Sequence, residues 1–365
     1  MKAGIYCPYF GSVLGGGERY LLTIAKCLID KDHQVDIFWS DESIKQKALD
    51  DLKLDLSSVN FVNNPFRRGN LFGRFSVTRK YDLIFYMSDG SLPFLFGRKN
   101  LIHFQIPFTN VDGKRPINFI KKLFIKDFFC NSLFTKRFVD KEFGVSSKVV
   151  YPPVAVNDFK PAEKKENIIL SVGRFTKVDE SKKGTRLLHE KKQAVLIEVF
   201  KDLIKKKKLK GWSLKIVGGA FEQDMEFVED LKKQTEGCSI EILPNLSFKD
   251  LQTLYGRAKI YWHAAGFEED EEKFPERSEH FGIVVVEAMA AGLVPVVIGQ
   301  GGTPEIIEDK KNGFLWRKKK ALLEITHELI KNPEKMERIS REAQKKAGAF
   351  SQVNFCKKVN ELVED

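Results

Sequence analysis

Short apolar segments and helical repeats alternate from the start of the chain. Residues 3–7 are apolar, residues 11–17 are rich in glycine, and residues 18–30 place leucine, isoleucine and alanine three and four positions apart. Residues 34–39 form the next apolar segment. A strand, a glycine loop, a helix and a second strand in this order predict a βαβ unit with a parallel sheet and a right-handed crossover.

The same alternation continues and then begins a second time. Pro152-Pro153 marks a stiff extended break, which we take as the region of a domain boundary. We therefore expect an α/β protein of two doubly wound, Rossmann-like domains, each with its own parallel sheet and its ligand site at the carboxyl ends of the strands, facing a central cleft. The later strands are predicted at residues 82–87, 101–104, 128–131, 168–172, 214–217, 240–243, 260–263 and 294–298, and the later helices at 194–207, 224–234, 248–257, 283–291 and 303–308.

Length and composition fit this organisation. The chain has 365 residues, of which 42% are hydrophobic and 30% charged, which suits two domains of about 150–200 residues. Residues 283–299 are almost wholly apolar, but Glu287, Gly292 and Pro295 interrupt them, so we expect a buried helix and strand and no membrane span. The N-terminus leads directly into a strand pattern without the features of a signal peptide.

Charge and cysteine usage favour a cytoplasmic protein. The net charge of +11 raises nucleic acid, anionic membrane or phosphate-rich ligands as partners, but the basic clusters carry no nucleic-acid-binding motif, so no nucleic-acid partner is expected. Dispersed cysteines without metal-binding spacing predict free thiols in a reducing compartment. The cysteines are Cys7, Cys27, Cys130, Cys238 and Cys356.

Residues 279–292 carry the strongest chemical signal. Glu279 stands just before a predicted helix and Glu287 about two turns into it, while Gly282 permits close backbone approach. Free N–H groups at a helix start favour an anion, and a carboxylate accepts two hydroxyl hydrogen bonds. A diphosphate there could place a sugar near Glu279 and a ribose near Glu287. From spacing alone, an ordinary surface glutamate and a partly paired buried one remain the alternative.

Further motifs, taken together, identify a family. Residues 279–307 resemble the donor-site region of the retaining GT-B glycosyltransferases of family 4, the glycogen synthase-like and mannosyltransferase-like superfamily. Other segments similar to that family's landmarks follow in order along nearly the whole chain. They are Gly15-Gly16-Gly17-Glu18-Arg19, Cys130-Asn131-Ser132-x-x-Thr135-Lys136, Val150-Tyr151-Pro152-Pro153-Val154 and Ser171-Val172-Gly173-Arg174-Phe175.

The resemblance implies a fold and an activity. It implies an acceptor-binding domain at residues 1–155, a nucleotide-sugar-binding domain at residues 156–348, and a C-terminal helix at residues 349–365 that crosses back to the first domain. The implied reaction moves a hexose from a nucleotide-diphosphate sugar to a saccharide or lipid-linked acceptor with retention of configuration, in the synthesis of cell-surface glycans.

The family's donor contacts map onto the motif around the two glutamates. Glu287 would hold the ribose hydroxyls and Glu279 the hydroxyls of the transferred sugar. The backbone amides of Phe281, Gly282 and Ile283 would meet the phosphates.

Two cations are expected on the diphosphate, where they would neutralise the departing group. Arg174 matches the family's arginine. An insertion at residues 177–190 leaves the lysine open: Lys191 is in register when counted back from the following helix, and Lys183 is its competitor.

Other candidates come from both domains. Gly16 and Gly17 would let backbone amides approach the donor, although an ordinary βα turn explains them too. His103, at a strand end, falls where the family often has a histidine beside the reacting sugar; simple packing is the alternative. Asn245 and Leu246 would line the base pocket.

We expect no metal and no other cofactor. An Asp-x-Asp motif is absent from the donor-site positions, and Arg174 with a lysine can replace Mg²⁺ electrostatically. The acidic residues 268–272 are predicted to form a solvated loop that covers the donor or shapes the acceptor cleft. No covalent nucleophile is evident, and Glu279 and Glu287 do not suit the close carboxylate pair of retaining hydrolases. The resemblance therefore implies a front-face mechanism in which the leaving diphosphate helps deprotonate the acceptor.

Two basic and aromatic stretches suggest an anionic membrane surface as a further partner. Residues 117–129 can form a helix with one apolar face flanked by lysines, and residues 67–75 form the second stretch. Peripheral attachment to the inner face of the membrane is one interpretation, and packing of the helix on the sheet is the other. The proposed apolar face consists of Ile117, Ile120, Phe124 and Phe128.

The donor and the reaction class stay partly open. GDP-mannose is the first expectation, because the motifs resemble those of mannosyltransferases that extend lipid-linked oligosaccharides, but UDP-sugars share the scaffold. A GT-B sugar-nucleotide epimerase, a phosphorylase, or a basic membrane- or nucleic-acid-binding protein with an inactive site are the alternatives. Intact Glu279, Glu287 and Arg174 argue against an inactive site, and the chain length argues against a phosphorylase.

Overall fold

A computed structural model describes residues 1–8, 15–66, 71–176 and 190–364, which form two compact units. Unit 1 comprises Met1–Pro153 and Gln352–Asp365, and unit 2 comprises Val154–Ser351. Each unit contains a parallel sheet with flanking helices, which confirms the predicted fold class. None of the described helices is long and apolar enough to cross a membrane.

Unit 1 alternates strands and helices as the sequence pattern predicts. Its strands are β1 (Lys2–Tyr6), β2 (Gln34–Ile37), β3 (Asn60–Phe61), β4 (Leu83–Met87), β5 (Lys99–Phe104), β6 (Asp127–Cys130) and β7 (Lys148–Val149). Its helices before the boundary are α1 (Gly16–Ile29), α2 (Ser43–Leu52), α3 (Leu71–Thr78), α4 (Pro116–Lys122) and α5 (Leu133–Phe143). The strand order is β3-β2-β1-β4-β5-β6-β7, so the direction of winding reverses between β1 and β4.

Unit 2 repeats this architecture. Its strands are β8 (Ile168–Val172), β9 (Ser213–Gly218), β10 (Ile240–Pro244), β11 (Ile260–His263), β12 (Val294–Ile298) and β13 (Phe314–Trp316). Its helices are α6 (Gln193–Lys207), α7 (Met225–Thr235), α8 (Phe248–Arg257), α9 (Ile283–Ala290), α10 (Thr303–Ile306), α11 (Lys319–Lys331) and α12 (Pro333–Ala347). The order β10-β9-β8-β11-β12-β13 reverses between β8 and β11.

The last helix, α13 (Gln352–Glu364), belongs to the core of unit 1. Phe355, Val359 and Leu362 recur at helical spacing and lie in the same apolar cluster as the buried face of α1. The Phe355 ring meets the Tyr20 ring edge-on, with the ring centres 4.8 Å apart.

A disulfide joins these two helices and corrects the expectation that all the cysteines are free. Cys27 on α1 is bonded to Cys356 on α13; the two cysteines are 329 positions apart in sequence, and their Cα atoms are 5.3 Å apart. Spacing rules could not find this pair, because the packing of α13 on α1 creates the proximity. Cys7, Cys130 and Cys238 are free thiols, as predicted.

The prediction of an amphipathic helix at residues 117–129 is wrong beyond Lys122. Helix α4 ends at Lys122, and Phe128 lies in β6. The backbone N–H of Lys126 donates to the carbonyl of Asn100, and the Asn100 side chain donates to the carbonyl of Phe124 at 2.8 Å. These bonds to β5 draw the chain into the sheet and stop the helix, so the four apolar residues do not share one helical face.

A half-buried lysine fixes two helix ends in unit 2. Lys165 donates to the carbonyl of Gly256 at 3.2 Å and to those of Ala258 and Ala291 at 2.8 Å each. Burial, with the nearby charge of Lys259, lowers the pKa of Lys165 to about 8. A cation at the C-terminal ends of α8 and α9 satisfies carbonyls that the helices leave unpaired. The end of α9, which carries Glu287, is thereby held in place.

Loss of the disulfide should destabilise unit 1. Reduction, or Cys356→Ser, is expected to lower the free energy of unfolding by about 2–4 kcal/mol, because the crosslink restricts the unfolded chain. Thermal unfolding followed by circular dichroism would show a lower midpoint. Cys238→Ser, which removes a partly exposed free thiol, is the control. A reductant that leaves the wild-type midpoint unchanged would contradict the prediction.

Candidate functional site

The carboxyl ends of β8 and β11 define the centre of the site in unit 2. These neighbouring strands continue to opposite sides, β8 pairing with β9 and β11 with β12. Such a reversal opens a crevice beyond the carboxyl ends of the strands, where α/β folds bind ligands. Gly173 and Arg174 follow β8 there, and His263 is the last residue of β11.

Glu279 gathers two other side chains at this crevice. Its Oε2 atom accepts a hydrogen bond from Lys191 Nζ at 2.7 Å and lies 3.0 Å from His263 Nε2. All three side chains are largely shielded from solvent. Ion pairs of this kind are stronger than surface pairs because less water screens them. The sequence prediction placed Glu279 and Lys191 in the site but did not include His263.

His263 is held as a neutral hydrogen-bond donor. Burial lowers the pKa of the imidazole; the hydrogen bond and charge of Glu279 oppose that shift, and the charge of Lys191 adds to it. A neutral ring protonated at Nε2 donates to Glu279, which leaves Nδ1 as an acceptor. Nδ1 is buried and has no partner among the described residues. The histidine therefore fixes the orientation of the carboxylate without adding a charge.

The start of α6 brings Lys191 to this position. The lysine stem packs against Gly173, where an added Cβ atom would lie 2.8 Å from Lys191 Cγ. Gln193 donates to the carbonyl of Arg174 at 2.9 Å, which ties the same helix start to the end of β8. Of the two lysines that the sequence left open, Lys191 thus contacts Glu279, while Lys183 lies outside the described residues.

Two glycines allow the backbone that carries Glu279 to pack closely. Side chains at Gly301 and Gly302 would overlap the carbonyl oxygens of Glu279 and His280. Instead, the Gly302 N–H donates to the Glu279 carbonyl at 2.7 Å. The Gly-Gly pair of the sequence motif is therefore required by close backbone approach.

Helix α9 begins directly after Gly282 and carries Glu287 in its second half. Gly282 has φ of 114°, a conformation that favours glycine, and it separates the buried Phe281 from the first helical residue, Ile283. Glu287 is buried, and the hydroxyl of Tyr255 donates to its Oε2 atom at 3.3 Å. The predicted pair of glutamates thus occupies one end of the sheet and the helix that follows it.

Arg174, Asn245 and Leu246 lie on loops that follow β8 and β10. Arg174 is exposed. Asn245 has a left-handed backbone. Its side-chain oxygen accepts the N–H of Ala220 at 2.8 Å, and its side-chain nitrogen donates to the carbonyl of Ala220 at 3.0 Å. The Asn245 side chain therefore shapes the loop that follows β9, and the partly exposed Leu246 comes next to it.

The acidic residues 268–272 form a loop that is solvated only in part: Glu268, Asp270 and Glu272 are exposed, as the sequence suggested, whereas Glu269 and Glu271 are half-buried. Glu269 is mostly shielded and forms ion pairs with Lys192 at 2.7 Å and with Arg277 at 3.3 Å. Glu271 accepts the N–H of Gly301 at 3.0 Å. The sequence pattern did not reveal these contacts, because Lys192 and Gly301 are distant from the acidic segment in sequence. They lie just before α6 and in the loop after β12.

The unit 1 candidates lie at the carboxyl edge of its own sheet. Gly16 and Gly17 begin α1, and Gly17 packs beside Met87 and Gln105. His103 is fully buried, with its ring 4.1 Å from that of Tyr20 and its Nε2 atom 2.8 Å from Gln105 Oε1. Burial lowers its pKa to about 4, so His103 is neutral near pH 7.

Some site residues were missed by sequence reasoning. His263 ends a predicted strand at the reversal point, and that position was an available signal. Tyr255, Lys192 and Glu269 act through contacts between segments distant in sequence, so no local pattern revealed them. Among the described residues, no group of His, Cys, Asp and Glu side chains forms a cluster suited to a metal ion.

Comparison with known proteins gives a family and several relatives. Residues 184–346 match the family model described as glycosyl transferases group 1. The chain is similar to the GDP-Man:Man(3)GlcNAc(2)-PP-Dol alpha-1,2-mannosyltransferase of Dictyostelium discoideum, with 29% identity over 227 residues, covering 59% of this chain and 41% of that protein. The chain thus spans less than half the length of this relative. It is also 23% identical to spore coat protein SA of Bacillus subtilis (strain 168), over 92% of this chain and 91% of that one.

Solved structures with the same fold cover nearly the whole chain. A glycosyltransferase from Rickettsia africae ESF-5 has a TM-score of 0.75 at 18% identity, covering 99% of this chain and 97% of that one. Anabaena Alr3699/HepE in complex with UDP has a TM-score of 0.73 at 19% identity, covering 100% of this chain and 99% of that one. These similarities establish the fold.

The glycine pair should be essential to the packing around Glu279. Gly302→Ala is expected to destabilise the protein by about 1–3 kcal/mol, because the methyl group would overlap the His280 carbonyl in a packed interior. Gly348→Ala, whose Cβ atom would meet no heavy atom within 4 Å, is the matched control. Denaturant unfolding measures both variants, and equal stability of the two would contradict the packing argument.

Proposed function

We propose that this chain, which has the GT-B fold and whose residues 184–346 match the glycosyl transferases group 1, is a retaining glycosyltransferase. It would move a hexose from a nucleotide-diphosphate sugar to a saccharide or lipid-linked acceptor in the synthesis of cell-surface glycans. The observation that carries the proposal is the meeting of Lys191, His263 and Glu279 beyond the carboxyl ends of β8 and β11. A cation and an oriented carboxylate are the groups that a sugar diphosphate needs.

Helix α9 and the residues just before it would bind the phosphates, the ribose and the sugar of the donor. The amides of Phe281, Gly282 and Ile283 would bind the phosphates, since backbone N–H groups at a helix start attract anions. Glu287 would accept the ribose hydroxyls, with Tyr255 orienting its carboxylate. Glu279 would bind the sugar hydroxyls, with His263 orienting it. Asn245 and Leu246 would line the pocket for the nucleotide base.

Arg174 and Lys191 would neutralise the diphosphate as it leaves. An exposed guanidinium can bind phosphate oxygens in a bidentate manner. The Lys191 ammonium, now on Glu279, has further donor positions for a phosphate oxygen. Two cations in these roles supply the charge stabilisation that Mg²⁺ would otherwise give, so we propose that transfer is independent of metal.

Retention of configuration would follow a front-face course. The bond between the anomeric carbon and the diphosphate oxygen breaks, the acceptor oxygen bonds to the same face, and its proton passes to the leaving diphosphate. The partners of Glu279, Lys191 and His263, and the burial of Glu287 support a course without a covalent nucleophile.

GDP-mannose is the proposed donor and a lipid-linked saccharide the proposed acceptor. Support comes from the relatives named for GDP-mannose and a dolichol-linked acceptor. The UDP complexes of a protein with the same fold keep a UDP-sugar as the competing donor. In unit 1, Gly16 and Gly17 would admit backbone contacts to the ligand. For His103 to lie beside the sugar, its Nε2 atom would have to exchange its bond to Gln105.

A nucleotide screen tests the donor site directly. We expect GDP or UDP at about 100 times its dissociation constant to add roughly 2.7 kcal/mol of stability, seen as a raised thermal midpoint. The shift should persist with a chelator and shrink clearly in Glu287→Gln, because the amide replaces one of the two carboxylate acceptors of the ribose hydroxyls with a donor and removes the negative charge. Glu334→Gln, an exposed site on α12, is the control. No midpoint shift with any nucleotide would contradict the proposal and favour a binding protein.

An exposed aromatic patch on unit 1 supports peripheral attachment to an anionic membrane. A series of ring contacts connects α3 with the chain after α4: it runs from Phe75 to Phe96, then to Phe124 and Phe94, with successive ring centres 5.1–6.1 Å apart. Lys121 lies over the Phe94 ring at 5.7 Å. The patch consists of the exposed residues Leu71, Phe72, Phe75, Ile117, Phe119, Ile120, Leu123 and Phe124.

The composition of the patch suits an interface with lipid. Phe72 and Leu123 are each 83% exposed, which is unusual for large apolar side chains in water. Lys122 lies beside Phe119, and Arg79 beside Phe75, so cations border the apolar surface. Apolar insertion together with attraction to anionic headgroups gives reversible membrane binding.

Flotation with phosphatidylglycerol vesicles tests the membrane proposal. The wild type should float at low salt, and Phe72→Ser combined with Leu123→Ser should leave the protein in the soluble fraction, because the inserting groups are gone. Val353→Ser replaces an apolar residue of similar exposure outside the patch, at 63%, and should float like the wild type. Wild-type protein that stays in the soluble fraction at low salt would overturn the proposal.

A further inference from the structure

Consecutive residues at the start of α6 bind three separate segments of unit 2. Lys191 contacts Glu279, and Gln193 contacts the carbonyl of Arg174. Between them, Lys192 donates to Glu269 Oε1 at 2.7 Å. The helix start is therefore fixed by one bond to each of the elements that surround Glu279.

Glu269 is the anchor on the other side of this contact. Its two oxygens bind Lys192 and Arg277, and its backbone carbonyl accepts the Gln300 side chain at 2.7 Å. Burial alone would raise the pKa of Glu269, but the hydrogen bond and charge of Lys192, with those of Arg277, lower it overall. The carboxylate is thus ionised and held from several directions near pH 7.

The backbone of Lys192 has a conformation that such an anchor would help to hold. Its φ of 56° and ψ of 39° are left-handed, a conformation that a lysine rarely adopts. Strained residues of this kind persist where surrounding contacts hold them. The ion pair with Glu269 supplies such a contact. The same turn sets the direction in which the side chain of Lys191 points from the backbone.

We propose that Glu269 is a positioning residue, which holds the turn at Lys192 so that Lys191 stays in reach of Glu279 and of a bound diphosphate. The inference rests on the proposed function, because the phosphate that Lys191 would contact is the one nearest the transferred sugar. Glu269 would act through Lys191 and would not touch the ligand itself.

The test compares a nucleoside diphosphate with its monophosphate. We expect Glu269→Gln to weaken binding of the diphosphate about fivefold, because a contact within one network is lost. Binding of the corresponding monophosphate should stay unchanged, since that ligand lacks the phosphate that Lys191 would meet. Titration calorimetry of GDP, GMP, UDP and UMP measures both ligands. Glu268→Gln removes the same charge from the neighbouring exposed residue and should leave both affinities unchanged.

A double substitution shows whether Glu269 acts through Lys191. In a Lys191→Met background, Glu269→Gln should cause no further loss of diphosphate affinity. Additive losses, an equal loss for both ligands, a gain for the diphosphate, or no change would each overturn the inference. A wild type that binds no nucleotide contradicts the proposed function itself, and the inference falls with it. Normal wild-type binding with an unaffected Glu269→Gln variant contradicts the inference alone.

Discussion

The carboxylate of Glu279 is where distant parts of unit 2 meet. Its Oε2 atom binds a lysine 88 residues earlier in the chain and a histidine 16 residues earlier. A shielded carboxylate is costly unless such partners satisfy it, so β8, β11 and the start of α6 must hold their relative positions. The glycines at positions 173, 301 and 302 serve the same arrangement, because each admits a neighbour where a side chain would interfere. The geometry of the site is therefore a consequence of the sheet order.

The charges around Glu279 are arranged in pairs, which a phosphate ligand bound as proposed would redistribute. Lys191 faces Glu279, and Lys192 shares Glu269 with Arg277. Glu279 would keep its bond to His263 if Lys191 turned to a phosphate, so the carboxylate would not lose all of its partners. Arg174 adds an exposed positive charge at the same sheet edge. An anionic ligand would thus enter a region whose cations are already ordered, which lowers the entropy lost on binding.

Sequence patterns predicted the repeating framework well and the long-range contacts poorly. Strand β8 was predicted with its observed limits because four apolar residues and Ser171, all of them buried, form one run between Asn167 and Gly173. Strand β13 was missed because three residues give no periodicity. The helix at residues 117–129 was overextended, since the side chain and carbonyl of Asn100 redirect the chain. Glu279 and Glu287 were found through their shared motif, whereas His263 and Glu269 owe their places to tertiary contacts that spacing does not encode.

The place of α13 in unit 1 has a consequence for the order of folding during synthesis. Unit 2 contains only residues up to Ser351, so its chain is complete when that residue leaves the ribosome. Unit 1 begins earlier in sequence, yet its apolar cluster includes Phe355, Val359 and Leu362. Its core therefore stays open until residues 352–364 have been made, although domains commonly fold in the order of their synthesis. Unit 1 begins before unit 2 in the sequence but can be completed only after it.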